Sequence, residues 1–259
     1  MLRKRLIAVV TVRNGWAVQS FGYHRYLPLG RPECLVENLD RWGADEILVQ
    51  CMDRSTRGLG PDLELLSRLG RIGLRTPLVY GGGISTADQA VRVIHTGADR
   101  IMLDHGLCRA PGAVRQMSSR LGAQALIACV PVEFQPTLLH YDYAARKTLP
   151  FSQDLLQLLS DRVLSEVMLT DRRQDGGTTE LEPSQLAKLP WTGAPLILFG
   201  GFTDPQRSRR FLEHEAVAAI AVGNTLSYHE HAYQHYKQVM NSGSLRQPVF
   251  AGPALAEGL

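Results

Sequence analysis

The sequence contains few cysteines, no long apolar stretch and no cluster of basic residues. Four of its 259 residues are cysteine, without a Cys-x-x-Cys pair or the histidine spacing of a zinc site, so we expect neither disulfides nor a structural metal. No run approaches the roughly 18 apolar residues of a membrane span. The net charge is only +3, which argues against nucleic-acid binding. No cofactor is expected.

The amino terminus, MLRKRLIAVV, is more typical of a first strand than of a signal peptide, because its apolar run is short and ends at Arg13. We therefore expect a cytoplasmic protein that does not enter a membrane. Hydrophobic residues make up 44% of the chain, which is enough to bury a large core.

Apolar segments recur along the chain at a spacing of about 120 residues. LIAVVTV and LIACVPV start 120 residues apart, at 6 and 126. The other repeated pairs are EILV at 46 with EVML at 166, and PLVYGGGIS at 77 with PLILFGGFT at 195. Such a period indicates two similar halves of about four strands each. We predict a single-domain (β/α)₈ TIM barrel over residues 1–259, with half-barrels at about 1–120 and 121–240 and a short carboxy-terminal tail.

Continuous Val, Ile and Leu runs predict parallel strands that are buried on both faces. We expect them near 5–12, 45–52, 77–81, 99–103, 125–132, 165–170, 195–199 and 217–222. Two long loops are predicted at 13–31 and 133–152, in equivalent places of the two halves. Both follow strand ends, at the face where barrels of this class hold their active sites.

The segments MLRKRLIAVVTVRNG, GADEILV, PLVYGGGI, GADRIML and LFGGFT resemble HisF, the barrel subunit of imidazole glycerol phosphate synthase, and its half-barrel relatives in histidine biosynthesis. The resemblance covers nearly the whole chain. It implies a lyase of the cyclase type that receives ammonia from a glutaminase (HisH-like) subunit docked at the amino-terminal face. The segment RYLPLGRP from Arg25 is more similar to divergent HisF-like paralogues associated with amidation of surface-glycan sugars, as in lipopolysaccharide biosynthesis.

At the strand starts the chain follows the HisF pattern. By resemblance, Arg5, Glu46, Arg100 and Glu166 are the gate through which ammonia enters the barrel. We expect them to form a charge-paired ring, because inward charges there are unfavourable unless they are neutralised. The alternative is that they are ordinary solvated strand starts. The surrounding surface, including Asp45 and Asp99, is expected to dock the glutaminase.

At the opposite end the chain departs from the HisF pattern. The two aspartates that act as general acid and base in the family are replaced by Thr11 and by Pro131, or by Val130 if the alignment shifts by one. Neither threonine nor proline can transfer a proton near neutral pH, and each lost group is worth roughly 10²–10⁴ in rate. The family's loop lysine is Gln19, and its aspartate at the second strand is Cys51 or Met52. Asp53, Asp175 and Cys51 are the remaining catalytic candidates.

Glycine turns are expected to hold substrate phosphate, because backbone amides at helix starts bind anions. The candidates for phosphate or substrate binding are Gly82, Gly83, His105, Asp175, Gly176, Gly200, Gly201, Gly223 and Asn224. Glycines at such turns can also serve the backbone alone. A carboxylate at Asp104 would repel a phosphate beside Gly82 and Gly83, so one or two sites remain possible.

Two further clusters are candidates. Asp171, Arg172, Arg173 and Asp175 follow the sixth predicted strand and could bind substrate or form a solvated loop. His231 and His235, with His229 nearby, have the i, i+4 spacing of metal ligands. A solvated helix face is the favoured interpretation, because no HExxH pattern accompanies them.

Two functional hypotheses follow. In the first, the barrel is an amidotransferase-linked synthase subunit that acts on a phosphorylated or nucleotide-linked small molecule with rearranged catalytic groups. In the second, it is a non-catalytic conduit and scaffold that passes ammonia to a third, amidating protein.

Overall fold

Twelve strands alternate with helices in the computed structural model, which describes residues 3–134, 137–143, 146–178, 181–191, 193–240 and 243–247. The strands are β1 Arg5–Arg13, β2 Trp16–Phe21, β3 Arg25–Gly30, β4 Glu46–Cys51, β5 Leu78–Gly81, β6 Arg100–Leu103, β7 Leu126–Glu133, β8 Leu139–Asp142, β9 Lys147–Leu149, β10 Glu166–Asp171, β11 Leu196–Phe199 and β12 Val217–Val222. The helices are α1 Pro32–Arg41, α2 Met52–Thr56, α3 Leu63–Gly70, α4 Ala87–Thr96, α5 His105–Arg109, α6 Pro111–Leu121, α7 Gln153–Ser160, α8 Pro183–Leu186, α9 Pro205–Ser208 and α10 Ala232–Met240.

Eight of the strands close into a parallel barrel, in the order β1, β4, β5, β6, β7, β10, β11 and β12, with β12 pairing back onto β1. The predicted (β/α)₈ fold is confirmed. The strands whose sequences recur, β1 and β7, lie opposite each other across the ring. Most of the predicted carboxy-terminal tail, from residue 248 onward, lies outside the described residues.

Side chains of each strand point alternately into the barrel and toward the helices, because the strand period is two residues. The inward set forms an apolar interior of Ile7, Val9, Leu48, Val79, Met102, Ile127, Cys129, Met168, Ile197, Phe199, Ala219 and Ala221. The outward set packs against the helices in a second, larger core. Among the described residues, no helix has the length and apolar character needed to cross a membrane.

The two segments predicted as long loops instead contain antiparallel hairpins. In the first, β1 continues past the barrel rim and pairs with β2, which in turn pairs with β3. The second hairpin is built in the same way from β7, β8 and β9. Asn14 and Gly15 both have positive φ, as a two-residue hairpin turn requires, and Asn-Gly is a strong sequence signal for such a turn. Both hairpins rise over the carboxy-terminal mouth of the barrel.

Candidate functional site

Four charged side chains form a ring at the amino-terminal end of the barrel. Glu166 lies 2.5 Å from Arg5 and 2.6 Å from Arg100. Glu46 lies 2.9 Å from Arg100 and 3.5 Å from Arg5, and this last contact is an ion pair without hydrogen-bond geometry. The structure therefore brings together all four residues that the resemblance assigns to a gate, with alternating charges.

The ring lies inside the barrel entrance. Each member is the first residue of its strand, β1, β4, β6 or β10. The glutamate side chains are 4% and 8% exposed and the arginines about 17%, so solvent screens their mutual attraction only partly. Arg100 also donates to the Ser165 hydroxyl at 2.6 Å and to the Gln124 carbonyl at 3.1 Å. The ring is neutral overall, although Arg5 Nε, Glu46 Oε2 and Glu166 Oε2 are held by ion pairing without a hydrogen bond.

One residue expected on the docking surface is buried instead. Both carboxylate oxygens of Asp45 are bonded internally, one to Lys237 Nζ at 2.7 Å and the other to the backbone N–H of Leu6 at 2.9 Å. Tyr233 completes this network by donating its hydroxyl to the Leu6 carbonyl. Asp45 therefore anchors α10 to the barrel and is not available to a partner. Asp99 is exposed, although its carboxylate accepts the Leu78 N–H at 2.8 Å.

A cavity of about 630 Å³ opens at the opposite end, between the two hairpins. Its lining includes four arginines and four tyrosines: Arg13, Arg57, Arg146, Arg172, Tyr23, Tyr26, Tyr141 and Tyr143. Tyr23 of the first hairpin meets Tyr143 of the second edge to face, with ring centres 6.2 Å apart. The volume is within the range of small-molecule sites. The sequence identified Arg172 as a possible substrate-binding residue, but not the four tyrosines, which lie in the segments predicted as loops.

Thr11 and Pro131 lie on the inward faces of β1 and β7, in phase with Ile7 and Ile127 of the barrel interior. Thr11 is paired in register with Gln50, and Pro131 with Thr170. Neither position provides a side chain that titrates near neutral pH.

Asp53 lines the mouth cavity, but its carboxylate is engaged. It accepts the N–H of Asn14 in the hairpin turn at 3.2 Å and lies 3.5 Å from Arg57. Gln19 is buried, and its side-chain amide lies 3.5 Å from the Asn224 carbonyl. Met52 also lines the cavity, whereas the side chain of Cys51 belongs to the outer core between strands and helices. Cys51 therefore does not point into the mouth as a nucleophile would.

Thiol labelling of the native protein is expected to modify one cysteine rapidly. Burial raises the pKa of Cys51 and of Cys129 to about 12 and that of Cys108 to about 11, so these thiols remain protonated. Cys34 is exposed. Titration with a disulfide reagent at pH 8 should label one thiol per chain rapidly in the native protein and all four thiols after denaturation. Cys34→Ser should remove the rapidly labelled thiol. A second rapidly labelled thiol that Cys51→Ser removes would restore Cys51 as a candidate nucleophile.

The glycine turns have equivalent geometry in the two halves. Gly82 has φ of 130°, and a Cβ there would lie 2.3 Å from the Cys51 carbonyl; Gly200 has φ of 108°, and a Cβ there would lie 2.7 Å from the Asp171 carbonyl. Both glycines are required by close approach of the backbone, whether or not a ligand binds. The amide of Gly83 is already used, because it donates to the Ser55 hydroxyl at 3.0 Å.

The second-half phosphate candidates are also engaged internally. Asn224 pairs with the backbone of Ser20, accepting its N–H at 3.1 Å and donating to its carbonyl at 2.6 Å. The Asp175 carboxylate accepts the Ser20 hydroxyl at 2.6 Å and the Tyr23 N–H at 2.8 Å. A Cβ at Gly176 would lie 2.7 Å from the Ser20 carbonyl. These residues hold the first hairpin against the rim.

The remaining phosphate candidates have fewer internal partners. Gly201 has φ of 77°, and the chain at Gly223 leads into a single 3₁₀ turn at Asn224–Ser227. His105 begins the short helix α5 beside Asp104, whose carboxylate accepts the His105 N–H at 2.5 Å. The carboxylate that would repel a phosphate therefore lies directly at the first-half turn.

Replacing Asp171 by Asn is expected to stabilise the protein at neutral pH. Burial raises the pKa of the Asp171 carboxyl to about 6, against the opposing effect of backbone bonds from Arg173 and Gln174. An acid with a raised pKa in the folded state destabilises that state when ionised, and the penalty fades as the pH falls from about 6 toward about 4. Asn can still accept the Arg173 N–H at 3.1 Å.

The gain should be on the order of 1–2 kcal/mol at pH 7.5 and much smaller at pH 4.5, as measured by urea denaturation at both values. Asp154→Asn, on the exposed start of α7, is the control and should show no such pH dependence. An equal effect at both pH values would show that Asp171 is not a strained buried carboxylate.

The histidine cluster provides no metal site in the described part of the chain, where no group of three His, Cys, Asp or Glu side chains could hold an ion. His231 packs against Trp42, with ring centres 5.6 Å apart. His229, His231 and His235 all line a neighbouring pocket of about 890 Å³.

The closed barrel, with its cavity at the carboxyl ends of the strands, defines a protein of the TIM-barrel class. Residues 5–233 match the family described as histidine biosynthesis protein, and the chain belongs to that family. A protein of Staphylococcus aureus (strain bovine RF122 / ET3-1), named imidazole glycerol phosphate synthase subunit HisF, is 24% identical over 250 residues, which cover 95% of this chain and 99% of that protein.

A Leptospira interrogans protein, assigned provisionally to the same subunit, is 26% identical over 235 residues, covering 88% of this chain and 91% of its own. The expected resemblance is thus confirmed at the level of a HisF-like protein of the cyclase family.

Proposed function

We propose that this chain is the barrel subunit of a glutamine amidotransferase and receives ammonia from a HisH-like glutaminase at its amino-terminal face. The observation that supports this most directly is the buried ring of Arg5, Glu46, Arg100 and Glu166 at that end of the barrel. A neutral ring that closes the entrance to an apolar interior suits passage of a small neutral molecule and excludes ions.

The mouth does not favour the cyclase reaction of the family. With Thr11 and Pro131 at the inward strand ends, neither a general acid nor a general base stands at the positions given by the resemblance. Asp53 and Asp175, the carboxylates among the remaining catalytic candidates, are both bonded to the first hairpin. A synthase acting on a phosphorylated or nucleotide-linked small molecule would therefore need a rearranged catalytic set.

The second candidate function is a conduit that delivers ammonia to a third protein, in amidation of a surface-glycan sugar. Two points support it: the resemblance of RYLPLGRP to such paralogues, which is an expectation from the sequence, and the location of exposed apolar side chains. The largest of these in the described residues are Trp16, Leu27, Leu59, Leu149 and Tyr228, and all lie on segments at the carboxy-terminal face. A partner that accepts ammonia would dock there.

Replacing Arg5 by Ala is expected to uncouple glutamine hydrolysis from ammonia use. The change leaves Glu46 and Glu166 with one arginine between them, so the entrance loosens. Cells that produce the variant and receive ¹⁵N-amide glutamine with unlabelled ammonium should put several-fold less ¹⁵N into the amidated product. Binding of the glutaminase, measured by sedimentation with the purified pair, should change less.

Arg207→Ala, on the exposed start of α9, is the matched control and should leave the label unchanged. Absence of any complex between the chain and the glutaminase of its own cell at micromolar concentration would contradict the proposed function. An unchanged ¹⁵N fraction in the Arg5 variant would contradict the gate.

A further inference from the structure

Two buried hydrogen-bond donors at the mouth have no partner among the described residues: the hydroxyl of Tyr23 and Nε of Arg172. Both side chains line the mouth cavity. Leaving a buried polar group unpaired is unfavourable by an amount comparable to a lost hydrogen bond, so such groups commonly face a ligand or water. Burial raises the pKa of Tyr23 well above its ordinary value, so the hydroxyl keeps its proton and can donate.

A chain of ring contacts connects these two donors. Tyr23 contacts Tyr143 edge to face, and Tyr143 contacts Tyr141 edge to face at 5.3 Å. The guanidinium of Arg172 lies 3.8 Å from the centre of the Tyr141 ring. Glu133 fixes the other side of this guanidinium by accepting from Nη1 at 3.0 Å. The orientation of Arg172 is therefore set before any ligand binds.

Charge in the lining of the mouth favours an anion. Glu133 is shared with Arg173, whose Nη2 lies 2.9 Å away, and the buried Asp171 carboxyl interacts with Arg173 and Glu133, so this group is balanced. The cavity lining as a whole holds four arginines against two carboxylates, Asp53 and Asp104. Asp104, a lining carboxylate that would oppose an anion, directly follows β6 and accepts the His105 N–H. The glycine turns offer less, because the Gly83 amide and the Asn224 side chain already have partners.

We propose that Arg172 and Tyr23 hold a phosphoryl group of the ligand at the centre of the mouth, between the two hairpins. The donors have the chemistry of an oxyanion site: one fixed guanidinium and one neutral hydroxyl. One face of each of the lining rings Tyr26 and Tyr141 is already covered by a guanidinium, that of Arg13 at 4.2 Å and that of Arg172 at 3.8 Å. This inference rests on the proposed function only in taking the ligand to be a phosphorylated small molecule.

Calorimetric titration of the purified chain with inorganic pyrophosphate tests the site without any partner protein. The wild type should bind pyrophosphate at millimolar concentration or tighter, and should not bind uridine, which lacks the anion. Tyr23→Phe keeps the ring and its contact with Tyr143, and should weaken binding about tenfold, the usual effect of losing one hydrogen bond to a charged group. Arg172→Gln should weaken it at least as much.

Tyr228→Phe, on an exposed tyrosine outside the mouth, is the matched control and should bind as the wild type does. Thermal unfolding checks that each variant is folded. Failure of the wild type to bind pyrophosphate at about 10 mM, roughly tenfold above the expected millimolar affinity, would overturn the site. Wild-type affinity in Tyr23→Phe would overturn it as well, since the anion would then lie elsewhere. Neither result depends on ammonia transfer, which the Arg5 experiment tests separately.

Discussion

Replacing Arg100 by Met is expected to lower the free energy of unfolding by about 3–5 kcal/mol, because it leaves buried carboxylates without their shared cation. Arg100 donates a hydrogen bond to Glu46 at 2.9 Å and forms an ion pair with Glu166 at 2.6 Å. With Met in its place, two glutamates that are less than a tenth exposed depend on Arg5 alone. Urea denaturation of the variant and the wild type measures the difference.

Arg41→Met is the control, because Arg41 also pairs with a glutamate, Glu37, but both partners are solvent-exposed. Such pairs contribute about 0.2–1 kcal/mol. Adding Glu166→Gln to the Arg100 variant should recover part of the loss, since only one buried carboxylate then remains. Similar losses in the Arg100 and Arg41 variants would show that the ring is solvated and cannot act as a closed gate.

The second large effect concerns catalysis. The purified chain, supplied with ammonium, is expected to convert the ribulosyl intermediate of histidine biosynthesis to imidazole glycerol phosphate at least about 10⁴-fold more slowly than a HisF enzyme. Two proton-transferring groups are absent if Thr11 and Pro131 replace them, and each is worth roughly 10²–10⁴. Chromatography of the product over hours detects rates far below ordinary turnover of about 1 s⁻¹.

The Staphylococcus aureus relative named as the HisF subunit is the positive control under the same conditions. Turnover near 1 s⁻¹ by this chain would contradict the prediction and would mean that other residues transfer the protons. Asp53→Asn and Asp175→Asn would then identify which carboxylate is responsible.

Much of the barrel can be predicted from local sequence. Parallel strands that are buried on both faces require continuous apolar runs, and the β-branched residues of LIAVVTV and LIACVPV favour strands. Their spacing of 120 residues indicates two similar halves. The strand starts also place Arg5 and Glu166 on inward positions, because alternation along a strand assigns each residue to a face. The Asn14-Gly15 dipeptide is also typical of a hairpin turn, and the structure has a hairpin there in place of the predicted loop.

Ion pairs and hydrogen bonds between residues far apart in sequence could not be predicted, because they form only when the barrel closes. The sequence around Asp45 does not indicate that its carboxylate is buried and paired with Lys237, which lies near the other end of the chain. Likewise, no local pattern shows that Ser20 would occupy the side chain of Asn224.

The sequence by itself determined the strands, their inward faces and the charges at the barrel entrance, because these follow from the two-residue strand period and from which residues tolerate burial. The tertiary structure alone decided which polar groups bind each other and which remain unpaired at the mouth, as the Tyr23 hydroxyl and Arg172 Nε do within the described chain. The reason is that hydrogen bonding between distant segments depends on register and closure, whereas periodicity specifies only a face.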